Sequence, residues 1–150
     1  MQDFLYLSIF VGLMINLMVV EMLGVILGGF FVPGYLALHI TDIASMAQIF
    51  GAALLTVGIV RVMSNIMIIY GRKMMVVCIL VGFLVSLSLA YFFNTPAFKG
   101  YEVDFGFIVP GLMAYWMQRQ GVLETFMLSV VGAIIVRFIL VIITGGLVAL

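Results

Sequence analysis

A proline followed by a glycine sits inside an apolar stretch of this chain twice, each time within the same phrase. The first copy reads Gly29-Phe30-Phe31-Val32-Pro33-Gly34-Tyr35-Leu36-Ala37. The second reads Gly106-Phe107-Ile108-Val109-Pro110-Gly111-Leu112-Met113-Ala114, identical at six of nine aligned positions. Proline lacks an amide hydrogen and clashes with the preceding helical turn, and the glycine after it admits backbone angles closed to other residues. Each phrase therefore interrupts any helix that contains it. The likeness continues downstream, where Ile59-Val60-Arg61-Val62 answers Ile135-Val136-Arg137-Phe138. Two units of about 1–72 and 73–150, fused head to tail, account for both pairs.

The solvent around these breaks is lipid. Apolar residues make up 67% of the chain and charged residues 8%, against about 25% charge in a soluble domain. No hydrophilic stretch is long enough to fold separately, so residues 1–150 form a single integral membrane domain. A crossing helix needs about 20 apolar residues. Phe4 to Gly29, Ala44 to Tyr70, Met74 to Phe93 and Val122 to Val148 meet that length. The pieces Phe30 to Ile40 and Phe105 to Met117, which hold Val32-Pro33-Gly34 and Val109-Pro110-Gly111, are too short to cross alone as helices. Lipid offers no partner for backbone groups freed at a break, so such segments are buried in protein or line a wet cavity. The expected fold is an all-α polytopic membrane protein of about four transmembrane helices plus two Pro-Gly-broken re-entrant or half-helix segments. Five or six crossings are the alternative. The first span reads as a retained signal anchor, since Met1-Gln2-Asp3 has no basic leader.

Basic residues beside spans mark the cytoplasmic side. The turn Gly71-Arg72-Lys73 is the strongest such signal, and Arg72 and Lys73 serve topology or partner docking. With four spans, both chain ends then face the cytoplasm and the Val-Pro-Gly segments dip in from outside. Arg119 is the misfit, because that arrangement puts it outside. Tyr70, Tyr91 and Trp116 fall at span ends as interfacial anchors.

Arg61 and Arg137 are the sharpest candidates for function, because arginine at the centre of a span costs about 2.5 to 3.5 kcal/mol on insertion scales. Either they pair with Glu21 or with carbonyls opened by the breaks, or they line a path for an anionic substrate. Glu21 reads as an interfacial carboxylate, an arginine partner or a proton-coupling acid. His39, near Thr41 and Asp42, reads as a solvated or capping residue. Cys78 is the one cysteine, so no intrachain disulfide forms and it reads as a small lipid- or core-facing residue. A net charge of zero excludes a phosphate-neutralising nucleic-acid patch. No metal, nucleotide or nucleophile motif is present, so no cofactor is expected and any ATP belongs to another chain.

Three blocks carry a resemblance. Glu21-Met22-Leu23-Gly24 with Phe31-Val32-Pro33-Gly34-Tyr35-Leu36-Ala37-Leu38 resembles the first block of the capsule-biosynthesis CapC/PgsC family. Ile69-Tyr70-Gly71-Arg72-Lys73 resembles its central turn, and Gly106-Phe107-Ile108-Val109-Pro110-Gly111-Leu112 with Gln118-Arg119-Gln120-Gly121 its third block. Residues 97–104 depart from the pattern, so Lys99, Glu102 and Asp104 take no role from it. The resemblance implies a bacterial inner-membrane subunit of the poly-γ-glutamate synthesis and export machinery. Its implied partners are a CapB/PgsB-like ATP-dependent amide ligase and a CapA/PgsA-like membrane-anchored subunit. Catalysis is not expected of this chain alone. Four spans enclose little volume, so several copies or a partner would be needed for a wide path. A small proton-coupled exporter with Glu21 as coupling acid is the rival reading, and a scaffold that stabilises the ligase is the third.

Overall fold

The computed structural model describes residues 2–66, 71–93 and 106–146. Tyr70, the loop from Asn94 to Asp104 and its Lys99, Glu102 and Asp104 lie outside them. Six helices follow in order: α1 (Gln2–Leu23), α2 (Val32–His39), α3 (Ile43–Ile66), α4 (Arg72–Phe93), α5 (Val109–Gln120) and α6 (Val122–Ile143). Helices α1, α3, α4 and α6 are long and apolar enough to cross a membrane, as the sequence predicts. Each Val-Pro-Gly starts a short helix, with proline in the first turn. There the missing amide costs nothing, because first-turn amides have no intrahelical acceptor.

Among the described residues, the buried ones of α1 are small or polar: Ser8, Gly12 and Asn16, four apart on one face. In α4 they are Cys78, Gly82 and Ser86, at the same spacing. Large apolar side chains such as Phe10, Leu17, Leu80 and Leu84 point outward. Lipid accepts those side chains as readily as a core does, so helices meet instead where small residues let backbones approach. Gly34 of α2 crosses α1 at Gly12, where a Cβ on Gly12 would lie 2.7 Å from the Gly34 amide nitrogen. Gly111 of α5 crosses α4 at Gly82, where a Cβ on Gly82 would collide with the Gly111 backbone. Each Pro-Gly break thus serves two ends at once, stopping the incoming chain and supplying the glycine on which two helices touch.

These contacts also set direction. Asn16 meets Leu27 and Gly29, while Ser8 meets Gly34, so the chain after α1 runs back along it. Phe107 meets Phe83, and Gly111 meets Cys78, so α5 likewise runs back along α4. In both cases the short helix lies antiparallel to the long helix that precedes it. Helix α2 runs parallel to α6, through Gly28 beside Ser129, Pro33 beside Gly132 and Ala37 beside Arg137. Helix α2 packs mainly between α1 and α6, and α5 mainly between α3 and α4. Helix α2 therefore lies against α6, and α5 against α3. Val32, Tyr35, Leu36, Val109, Met113 and Met117 of the short helices join Ile49, Phe50, Ala53 and Val57 of α3 in the central core. Phe50 and Phe126, at matched positions of α3 and α6, meet there with ring centroids 4.4 Å apart.

Successive helices alternate in direction, so Arg72, Lys73 and Arg119 share one end of the bundle. Asp3 and Asp42 lie at the other. By its excess of basic residues the first end is the expected cytoplasmic one. On that expectation Arg119 is no misfit, and the start of α1 and the end of α6 face outside. Accordingly, a cysteine at Gly71 (Gly71→Cys) should resist an impermeant maleimide in intact cells, and one at Asp42 (Asp42→Cys) should react. The opposite pattern would invert the orientation.

Candidate functional site

Residues 24–31 are the chemically unusual part of the chain, because they carry non-helical backbone among spanning helices. Gly28 and Gly29 hold φ of 78° and 140°, angles that an L side chain rarely adopts. A Cβ on Gly28 would also collide with the Ser129 hydroxyl. Backbone groups in such a segment have no helical partners, and lipid supplies none. Two side-chain amides take that place. The Asn16 amide nitrogen donates to the Gly29 carbonyl at 3.2 Å, and its oxygen accepts from the Leu27 amide at 3.1 Å. The Gln120 side chain, oriented with its nitrogen toward Ile26, donates to the Ile26 carbonyl at 3.0 Å and accepts from the Ile26 amide at 2.8 Å. An amide side chain is suited to this because it offers a donor and an acceptor side by side, as the peptide group does.

The clamp joins the two halves, since Asn16 comes from α1 and Gln120 from the end of α5. In the sequence Asn16 is only an interruption of an apolar run. The signal that could have found it is its place on the Ser8-Gly12-Asn16 face, opposite a predicted break. Gln120 carries no such signal, because its neighbour Ile26 lies in the other half of the chain.

The buried start of α2 includes Val32, Pro33 and Gly34, and that of α5 includes Val109, Pro110 and Gly111. Arg137 is half-buried on α6 and its Nη1 donates to the Ala37 carbonyl of α2 at 3.2 Å. Arg61, its counterpart on α3, is exposed and makes no hydrogen bond or ion pair to a described residue. The two arginines thus have different surroundings, Arg137 against α2 and Arg61 facing outward. Glu21 is exposed near the end of α1 and pairs with neither of them. Arg72 and Lys73 are exposed at the start of α4. Arg119 lies 5.7 Å from the centroid of the Tyr115 ring, within cation–π range.

His39 differs from the sequence expectation. It is buried, stacks on Tyr35 with centroids 4.5 Å apart, and places Nδ1 3.1 Å from the Tyr35 carbonyl. The ring's apolar faces pack while its nitrogen satisfies a helix carbonyl, so it is a core residue. Cys78 is buried on the small-residue face of α4. Trp116 is half-buried against Phe30 and Tyr115, whereas Tyr91 is exposed at the end of α4. Among the described residues no group of His, Cys, Asp and Glu could hold a metal ion.

Comparison with known proteins places this arrangement. The family model for capsule biosynthesis CapC matches residues 11–126, which include the clamp, both Val-Pro-Gly phrases, Arg61 and the basic turn. The PGA biosynthesis protein CapC of Bacillus subtilis (strain 168) is 32% identical over 124 residues, covering 81% of this chain and 83% of the relative. The capsule biosynthesis protein CapC of Bacillus anthracis is 34% identical over 119 residues, covering 78% and 80%. No solved structure matches the chain. With the match running through three-quarters of its length and through both broken helices, the chain belongs to the capsule biosynthesis CapC family.

Proposed function

We propose that this chain is the multi-pass membrane subunit of a machinery that makes and exports poly-γ-glutamate capsule across the bacterial inner membrane. The observation that carries the reading is the family match over residues 11–126, together with the relative whose name ties it to PGA biosynthesis. An ATP-dependent amide ligase of CapB/PgsB type activates and extends the polymer, and this chain docks it. Arg72, Lys73 and Arg119 lie at one end of the bundle beside the exposed Glu21 and Glu124, and this concentration of exposed charge suits a polar partner surface. A membrane-anchored subunit of CapA/PgsA type completes the assembly outside.

The polymer bears one free carboxylate per residue, so an apolar layer repels it unless cations or amide donors accompany it. Arg137, beside the Ala37 carbonyl, and the buried starts of α2 and α5 are the features of this chain that favour carboxylates. Because Arg61 and Arg137 face different ways, a continuous path forms between copies or between subunits rather than inside one chain. The test is γ-linked polyglutamate measured inside and outside cells after this gene is deleted and then restored. Loss from both pools is the expected result and makes the chain part of the synthase. Polymer trapped inside restricts it to export, and unchanged polymer rejects the capsule reading.

A further inference from the structure

Seven glycines lie within the six helices. Five of them are explained by the fold, since a Cβ on Gly12, Gly34, Gly82, Gly111 or Gly132 would meet neighbouring atoms at or inside tight contact. Gly51 and Gly58, both on α3, are not, because a Cβ on either would meet no described residue within 4 Å. Glycine is the poorest helix former after proline, and no described residue accounts for these two. At about 100° per residue they share one stripe of α3 with Ala47, Leu54, Arg61 and Asn65. Gly51 is partly exposed, and the other five are exposed.

The second half supplies an internal comparison. At the same offset that matches Arg61 to Arg137, the corresponding stripe of α6 reads Leu123, Met127, Val130, Ile134, Arg137 and Val141. Apart from its arginine, that stripe is bulky and apolar, as suits acyl chains. Apart from Leu54, the α3 stripe is small or polar, as suits a packed helix. The arginines differ as well. Arg137 donates to Ala37, whereas Arg61 makes no bond to a described residue and lies about 7 Å inside the end of α3, at 1.5 Å per residue. Beside the stripe, α3 and α4 leave an apolar groove of about 620 Å³, lined in part by Leu55, Ile59, Leu84 and Phe92. It widens the surface on the side away from Arg61.

We infer that the Ala47–Asn65 stripe of α3 docks a transmembrane helix of another subunit, and that this helix places a carboxylate against Arg61. The glycines select a helix over lipid, since acyl chains gain nothing from a missing Cβ. Arg61 selects the chemistry of the partner, since its exposed guanidinium bonds to no described residue and a carboxylate is the strongest acceptor it can meet. A second copy of this chain fits poorly, because a two-fold axis through the stripe would bring two Arg61 side chains together. The inference rests on the multi-subunit reading above, but its test does not read polymer, so the two can fail separately.

The experiment uses membranes from cells carrying the complete capsule gene set, with the photocrosslinker p-benzoylphenylalanine at Leu54 and, as control, at Met127. The expected result is a Leu54 adduct with a different membrane protein, mapped to a spanning segment that carries Asp or Glu, and no such adduct from Met127. Arg61→Glu should cut that adduct at least tenfold, and changing the partner's acid to lysine should restore it. Gly58→Leu, at a position where an added Cβ meets no described residue within 4 Å, should leave its abundance unchanged and cut the adduct comparably. An adduct of twice this chain's mass, attachment to lipid alone, equal labelling from both sites, or indifference to Gly58→Leu would overturn the proposal.

Discussion

Gly111→Ala is expected to lower the thermal unfolding temperature of the purified protein, whereas Gly58→Ala raises it or leaves it unchanged. One methyl group added to a glycine thus acts with opposite sign at two places in one bundle. At Gly111 the new Cβ would lie 2.7 Å from the Cys78 carbonyl oxygen and 2.8 Å from the Ile79 Cα. Both are backbone atoms of α4, so no side chain can turn aside and the two helices must separate. Overpacking of this kind costs about 1–3 kcal/mol, and more where the obstacle is rigid. The separation would also pull the Phe107 and Phe83 rings from their 5.7 Å contact. At Gly58 there is no obstacle, and alanine is favoured over glycine in a helix by about 1 kcal/mol. Unfolding measured in one detergent for both variants gives the comparison. An unchanged midpoint for Gly111→Ala would mean that α4 and α5 do not cross at this glycine.

Asn16→Leu is expected to release the broken segment after α1. The change keeps a similar volume and removes both hydrogen bonds that Asn16 makes to the Leu27 amide and the Gly29 carbonyl. Each orphaned buried group costs about 1–3 kcal/mol, and residues 24–31 have no helical ladder to fall back on. Asn16→Asp keeps an acceptor for the Leu27 amide and loses the donor to Gly29, so it should fall between the two. A cysteine at Val25 (Val25→Cys) would report this, because Cys78 is buried and gives little background. Its reaction rate with a small maleimide should rise several-fold in the Asn16→Leu background. An unchanged rate would show that Gln120 and the glycine turn hold the segment alone. The same variant should lower polymer output at equal membrane abundance if the broken segment serves transport.

The four long helices and the two short ones were legible in the chain itself, for a simple reason. Apolar length decides whether a helix can cross, and Pro33 and Pro110 decide where one must start afresh. The inner faces of those helices were hidden by the same physics. In water a helix shows its buried side by being apolar there, but in lipid both sides are apolar and hydropathy is silent. The inner face of α1 is marked instead by smallness, at Ser8, Gly12 and Asn16, a signal that competes with many unrelated small residues. His39 misleads for a related reason, since its neighbours Thr41 and Asp42 are polar in sequence while its packing partner Tyr35 lies one turn back.

Sequence alone determined a membrane domain, its crossing helices, its two breaks and the capsule-family resemblance, because each depends on local composition or on a run of adjacent residues. Tertiary structure decided the direction of the short helices, the amide clamp and the divergent surroundings of Arg61 and Arg137. Those depend on which segments meet across long stretches of chain, as Gln120 meets Ile26, and adjacency in sequence carries no record of that.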